Sequence, residues 1–198
     1  NDINVVENTL YRALRYYGND KPSFFDLNQE IVVHISSFSK ILSPGLRVGW
    51  VAANSNVMNE LSKYAEDTYI TSNLVSQGII YKLMIESWLE ENIEYLKKLY
   101  KPRLNAVIRS IEEYLPDVDY SKPNGGFFVG IWFPKGVDIK EVSRKAKASG
   151  VILSESSGFF PDHQPGGFLR IPFCAVTKEE IEEGIKKLSK IYQTCKRS

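Results

Sequence analysis

The chain has 198 residues, enough for one large domain or two small ones, and its 43% hydrophobic and 25% charged content is ordinary for a globular protein. A formal net charge of +1 gives no electrostatic basis for a nucleic-acid or membrane-surface partner. No apolar run approaches the roughly 18 residues needed to span a bilayer.

The sequence opens Asn-Asp-Ile, without an initiator Met or a signal-peptide pattern. Three β-rich runs follow, over residues 3–6, 31–36 and 48–53. Each is nearly continuous in apolar residues, which predicts strands buried on both faces of an α/β sheet. Residues at the ends of such strands would share one rim. Val57, Leu61, Tyr64 and Ala65 then mark an amphipathic helical face. A longer helical region is expected from Leu74 towards Leu115, with Pro102 breaking or bending it.

A second compositional unit begins at the turn Pro123-Asn124-Gly125-Gly126 and leads into a strand over 127–133. Asp138 with Glu141 has capping-box spacing for a short helix that Gly150 would end. Residues 151–153 and 168–173 read as further strands. Thr177 with Glu180 caps a last helix whose inner face is Ile181, Ile185, Leu188 and Ile191, with Glu179, Glu180, Glu182, Glu183, Lys186 and Lys187 on its solvated side. Trp50, Trp88 and Trp132 read as core or interface aromatics. Cys174 and Cys195 suit inert thiols in a reducing cytoplasm. His34 and His163 share no metal-ligand spacing, so no metal site is expected.

The stretch from Ser36 to Trp50 carries the chemistry. It leaves a strand through Ser37-Phe38-Ser39-Lys40, turns at Pro44-Gly45, and presents Arg47 before the next strand. A lysine amine can attack an aldehyde once its surroundings lower its pKa. Arg47 offers a fixed fork of donors for a phosphate, and Ser37 and Ser39 add hydroxyls. An amine beside an anion site points to a small molecule holding both an aldehyde and a phosphate, namely pyridoxal 5'-phosphate (PLP).

Ser37-x-Ser39-Lys40 followed by Pro44-Gly45-Leu46-Arg47-x-Gly49 resembles the lysine signature of fold-type I PLP enzymes, in the class I/II aminotransferases. Its form is similar to the subgroup handling aromatic amino acids and 2-aminoadipate, which includes the aminotransferase-like domains of MocR-type regulators. Further matches follow in the family's order. Glu7-Asn8-Thr9-Leu10-Tyr11 resembles the strand end whose tyrosine bonds the PLP phenolic oxygen, with Tyr11 at that position. Thr71 to Gln77 resembles a segment near the dimer interface. Pro123 to Phe128 resembles the entry to the small domain. Phe168-Leu169-Arg170-Ile171 resembles the strand whose arginine binds the substrate α-carboxylate, so Arg170 takes that role.

The resemblance implies the C-terminal part of an aspartate aminotransferase-like α/β fold. Residues 1–90 would form part of the PLP-binding large domain and its partial sheet. Residues 91–198 would form the small α+β domain, joined to the first by a long helix. Lys40 would be the catalytic, PLP-bearing lysine and acid/base, with Asn8, Tyr11, Ser37, Ser39 and Arg47 also binding the cofactor. Ser37 is favoured over Ser39 for the phosphate, since Ser39 can cap the local turn. The implied activity is amino-group transfer between an amino acid and a 2-oxo acid, in a cytoplasmic homodimer with no nucleic-acid or membrane partner. The alternatives are an effector-sensing domain of a MocR-type regulator and an inactive fragment.

Two departures from the family pattern matter. Its aspartate, three residues before the tyrosine, keeps the pyridine nitrogen protonated; here Asn8 stands there, and a neutral amide does not compensate that charge. Glu7 is a poor substitute because adjacent strand residues point to opposite faces. The matches also begin midway through the family, whose N-terminal half supplies the backbone turn for the phosphate and the ring stacked on the pyridine. The three strands alone would leave an open sheet edge.

Overall fold

The computed structural model describes residues 3–154, 159–160 and 167–196. The chain divides into two compact units, Asn1–Lys97 and Lys98–Ser198.

In the first unit, β1 (Val5–Asn8) and β2 (Val32–Ser37) are parallel, and β3 (Gly49–Ala52) pairs antiparallel with β2, in the order β1-β2-β3. The short α1 (Phe24–Leu27) lies in the crossover and starts at a reciprocal box between Ser23 and Asp26. Glu7 reinforces it: its carboxylate accepts from the amides of Phe24 (3.0 Å) and Phe25 (3.2 Å). Asn54 caps α2 (Ser55–Thr68), and Asn73 caps α3 (Leu74–Ile85), each accepting from an amide three residues on.

The three strands fall where the apolar runs predict, but they are not buried on both faces. Val6 is 66% exposed, and the Trp50 and Val51 side chains of β3 are also open. The expected apolar stripe of α2 is present, yet the helix buries no residue and Tyr64 is 67% exposed. An apolar pattern reports what a face requires, and the described residues do not supply that cover. None of the three tryptophans enters the core of its unit.

The long helical region breaks at Ser87 rather than at Pro102. Ser87 adopts a left-handed conformation, φ 59°, and its amide bonds back to the Met84 carbonyl at 3.2 Å, which ends α3. Its own carbonyl then accepts from Glu91, starting α4 (Trp88–Tyr114). Pro102 remains inside α4. Its missing amide leaves the Lys98 carbonyl without a helical donor, a loss that one position tolerates.

In the second unit, β4 (Asp119–Tyr120), β5 (Phe128–Trp132) and β6 (Phe168–Pro172) form an antiparallel sheet in that order. Alternate residues Val129, Ile131, Leu169 and Ile171 are buried, as period-two strands with one covered face require. They share the core with Val107, Ile111 and Leu115 and with Ile181, Ile185, Leu188 and Tyr192 of α6 (Lys178–Lys196). Each such side chain contributes roughly 1.5–3 kcal/mol when buried. Tyr192 rather than Ile191 completes the α6 inner face, and its hydroxyl donates to Asp117 at 2.8 Å. Thr177 and Glu180 form the expected reciprocal cap. In α5 (Ile139–Ala148) only half of the box forms: Asp138 accepts from the Glu141 amide, while the Glu141 carboxylate turns to Arg144 at 2.7 Å.

The strand expected over 151–153 is absent. Gly150, at φ 81°, closes α5, and the Val151 amide still bonds back to the Ala146 carbonyl at 2.9 Å. The backbone is therefore committed to the helix end, and only Ser154 bridges Arg170. The two-residue β4 is too short to show a periodicity in the sequence.

Candidate functional site

Parallel pairing brings the C-terminal ends of β1 and β2 to the same edge, with Asn8 beside Ile35. Antiparallel pairing brings the start of β3 there too, with Gly49 beside Ser37. Gly49 has a steric reason: a Cβ there would lie 2.8 Å from the Ser36 carbonyl oxygen, closer than real side chains approach. Residues Asn8, Tyr11, Ser37, Ser39, Lys40 and Arg47 therefore all sit on segments that gather at this edge.

Ser37 ends β2 and caps the following 3-10 turn, Phe38–Lys40, by accepting from the Ser39 amide at 3.3 Å. Lys40 closes that turn, with its Nζ 6.0 Å from the centre of the Tyr11 ring. Tyr11 stands at the N-cap position of the 3-10 turn Arg12–Leu14 just beyond β1, where its carbonyl accepts from the Leu14 amide at 2.9 Å. A third 3-10 turn, Pro44–Leu46, is capped by Ser43 and ends on Arg47 in the left-handed conformation, φ 55° and ψ 37°. Arg47 is exposed, and its guanidinium donates to the Pro44 carbonyl at 3.4 Å. Among the described residues neither Lys40 nor Arg47 forms an ion pair, so both charges remain available to an anion.

Asn8 is exposed, and its side-chain oxygen accepts from the Leu10 amide at 3.3 Å. Glu7 points to the other face and is engaged with α1, so it does not replace Asn8. An open cavity of about 600 Å³ borders Thr9, Ser36, Ser37, Phe38 and His34 but is not lined by Lys40. It also reaches Ile41, which caps the lysine turn, so position rather than cavity size singles out Lys40.

Two contacts here have no motif in the sequence. Thr9 Oγ1 lies 2.6 Å from Nε2 of buried His34. The Asn92 side-chain amide donates to the Ile41 carbonyl at 2.6 Å. Both join segments far apart in sequence, so only pairing register and helix placement bring them together.

Arg170 belongs to the other unit, on β6 opposite Gly130. Its guanidinium lies 4.0 Å from the Phe128 ring centre and 4.3 Å from that of Phe159. Among the described residues its buried Nε has no hydrogen-bond partner, an arrangement that suits an incoming carboxylate. Cys174 and Cys195 are free thiols. His163 lies outside the described residues. Among the described residues no group of three or more His, Cys, Asp or Glu is placed to hold a metal ion, and no helix is long and apolar enough to cross a membrane.

Residues 7–188 match the family described as aminotransferase class I and II. The aromatic-amino-acid aminotransferase 1 of Thermococcus litoralis is 35% identical over 190 residues, covering 95% of this chain and 46% of that protein. The crystal structure of a Pyrococcus horikoshii kynurenine aminotransferase, in complex with PMP, superposes with a TM-score of 0.93 at 31% identity, covering 98% of this chain and 48% of that one. The HTH-type transcriptional regulator YdfD of Bacillus subtilis is 27% identical over 93% of this chain and 38% of its own length. The chain thus spans less than half the length of each of these relatives.

Proposed function

The chain belongs to the class I and II aminotransferase family, and from that premise we propose that it provides the lysine-bearing part of a PLP-dependent aminotransferase. The observation that carries this reading is Lys40 in a tight turn beside Tyr11, at the edge where Arg47 and Ser37 also stand. The residues present fit the cofactor. Lys40 supplies an amine, Arg47 an uncompensated guanidinium for the phosphate, and Ser37 a hydroxyl. Tyr11, whose ring centre is 6.0 Å from Lys40 Nζ, would bond the phenolic oxygen, and Ser39 lies next to the lysine. When bound, PLP supplies an electron sink for the bond broken at the substrate Cα.

The chain's own residues do the rest. Lys40 Nζ holds the cofactor and then accepts and returns a proton at the substrate carbon. Arg47 fixes the phosphate end so that the ring has one orientation. Arg170, whose buried Nε has no partner among the described residues, takes the substrate α-carboxylate. The likeness to the Thermococcus and Pyrococcus proteins supports an aromatic or similar amino acid and a 2-oxo acid as substrates. We assign the first unit to the large PLP-binding domain and the second to the small domain, within a cytoplasmic homodimer.

The test uses the full-length protein. With PLP and borohydride, the reduced label should map to Lys40, and Lys40→Ala should abolish amino transfer. Label on another lysine, or transfer by Lys40→Ala at the parental rate, would overturn the assignment. A sensing role in a transcriptional regulator is supported by the YdfD likeness and by Asn8. It would show as PLP bound at Lys40 without turnover.

A further inference from the structure

The turn that presents Lys40 is tied mostly to itself. Ser39 N donates to Ser37 Oγ, Ile41 N to the Phe38 carbonyl at 3.3 Å, and Leu42 N to the same carbonyl at 2.8 Å. Phe38 N reaches the Val48 carbonyl at 3.1 Å on the β3 side. The carbonyl of Ile41, which caps the turn, has no donor within it, as is usual for the last carbonyls of a helical segment. Asn92 of α4 fills that place: its side-chain amide donates to Ile41 O at 2.6 Å, 51 residues away in sequence. Asn92 is half-buried, so the bond is partly shielded from competing water.

Lysine carries a long, flexible stem, so its amine is only as well placed as the backbone that bears it. We propose that Asn92 is a positioning residue for Lys40, acting through the Ile41 carbonyl and touching neither cofactor nor substrate. The proposal rests on Lys40 being the PLP lysine. Asparagine suits the task because it presents an N–H donor on a short stem. An aspartate of the same shape would turn a lone pair towards the carbonyl at neutral pH.

The experiment compares full-length parent protein with Asn92→Asp and Asn92→Ala, and with Glu91→Gln on the exposed side of α4 as control. Hydrogen–deuterium exchange at the Ile41 and Leu42 amides is measured without cofactor. The rate of borohydride-trapped PLP labelling of Lys40 and the visible band of the bound cofactor are measured with it. Both Asn92 variants should exchange about tenfold faster at these amides and label Lys40 about tenfold more slowly, as expected for one lost hydrogen bond. The band should shift or broaden, while Glu91→Gln follows the parent. Lowering the pH to protonate the introduced carboxyl of Asn92→Asp should restore a donor and bring its exchange back towards the parent measured at the same pH. A parent correctly labelled at Lys40, with variants within twofold of it in exchange and labelling, overturns the proposal alone. A parent labelled at another lysine overturns the underlying reading as well.

Discussion

Thr9 Oγ1 and His34 Nε2 lie 2.6 Å apart, joining the segment just beyond β1 to the middle of β2. Thr9 also bonds the Ile35 carbonyl through its amide at 3.0 Å and its hydroxyl at 3.3 Å. His34 packs edge-on against Trp50, with ring centres 4.9 Å apart. Thr9 sits between Asn8 and Tyr11, so this contact fixes the strand end that carries both. Thr9→Val keeps the shape and strips the hydroxyl, leaving a buried ring nitrogen unpartnered. The expected cost is about 1–3 kcal/mol, read from the urea midpoint. An unchanged midpoint would mean that water replaces the hydroxyl.

Arg47 separates binding from strain. A non-glycine residue in the left-handed region costs roughly 1 kcal/mol, and Arg47 adopts it at φ 55°. Arg47→Gly relieves that cost while deleting the guanidinium. The variant should melt at or above the parental temperature yet bind PLP at least tenfold more weakly, as titration of the cofactor absorbance would show. Unweakened binding would remove Arg47 from the phosphate site.

The sequence singles out the Lys40 turn as a candidate because Ser37, Ser39, Lys40 and Arg47 fall within a dozen residues, each of a type tied to a chemistry. The strands were legible because their apolar runs are short and bounded by turns. Asn92 was not, since no local pattern marks a side chain that meets a carbonyl 51 positions away. The break at Ser87 has no such mark in the sequence, since proline is the usual breaker and a left-handed serine ends the helix here. The exposure of Val6 and Tyr64 was equally invisible, since hydropathy does not tell whether a covering element is present.

Acid should act through surface carboxylates. Arg144 chiefly holds the Glu141 carboxyl down from an ordinary 4.5 to about 2, and Lys196 chiefly lowers that of Asp117. A depressed carboxyl adds stability above its unfolded pKa and loses it as the pH falls through its folded pKa. The Glu141 contribution is thus complete above about pH 4.5 and fades towards pH 2. Because Glu141 lies at the surface with 33% of its side chain accessible, screening keeps the effect small. Glu141→Gln with Asp117→Asn should flatten the fall of melting temperature across that interval. An equally steep fall in the double variant would place the acid sensitivity in other groups.

Arg170 offers a cleaner division between affinity and rate. Its guanidinium lies against the rings of Phe128 and Phe159, and among the described residues its Nε has no partner. Arg170→Lys keeps the charge but loses the flat fork. With the carboxylate bound alike in ground and transition states, KM should rise about a hundredfold while kcat changes little. A loss confined to kcat would instead place Arg170 at the reacting atoms.

If PLP binds as proposed, Asn8 would stand where the family pattern has a carboxylate facing the ring nitrogen. Its side-chain oxygen accepts from Leu10 N at 3.3 Å, a bond that a carboxylate keeps, so Asn8→Asp should leave the local backbone in place. The new charge would stabilise a protonated pyridine nitrogen facing it. Because Glu7 is bound to the α1 amides, no neighbouring carboxylate in β1 already does this. In the full-length, PLP-loaded protein, Asn8→Asp should therefore raise the single-turnover rate of amino transfer by about tenfold or more, equivalent to roughly 1.4 kcal/mol of the barrier. The gain should appear in the chemical step and leave substrate affinity nearly unchanged, because the carboxylate meets the ring and not the substrate. If the rate stays at the parental value while PLP still labels Lys40, Asn8 does not face the ring nitrogen.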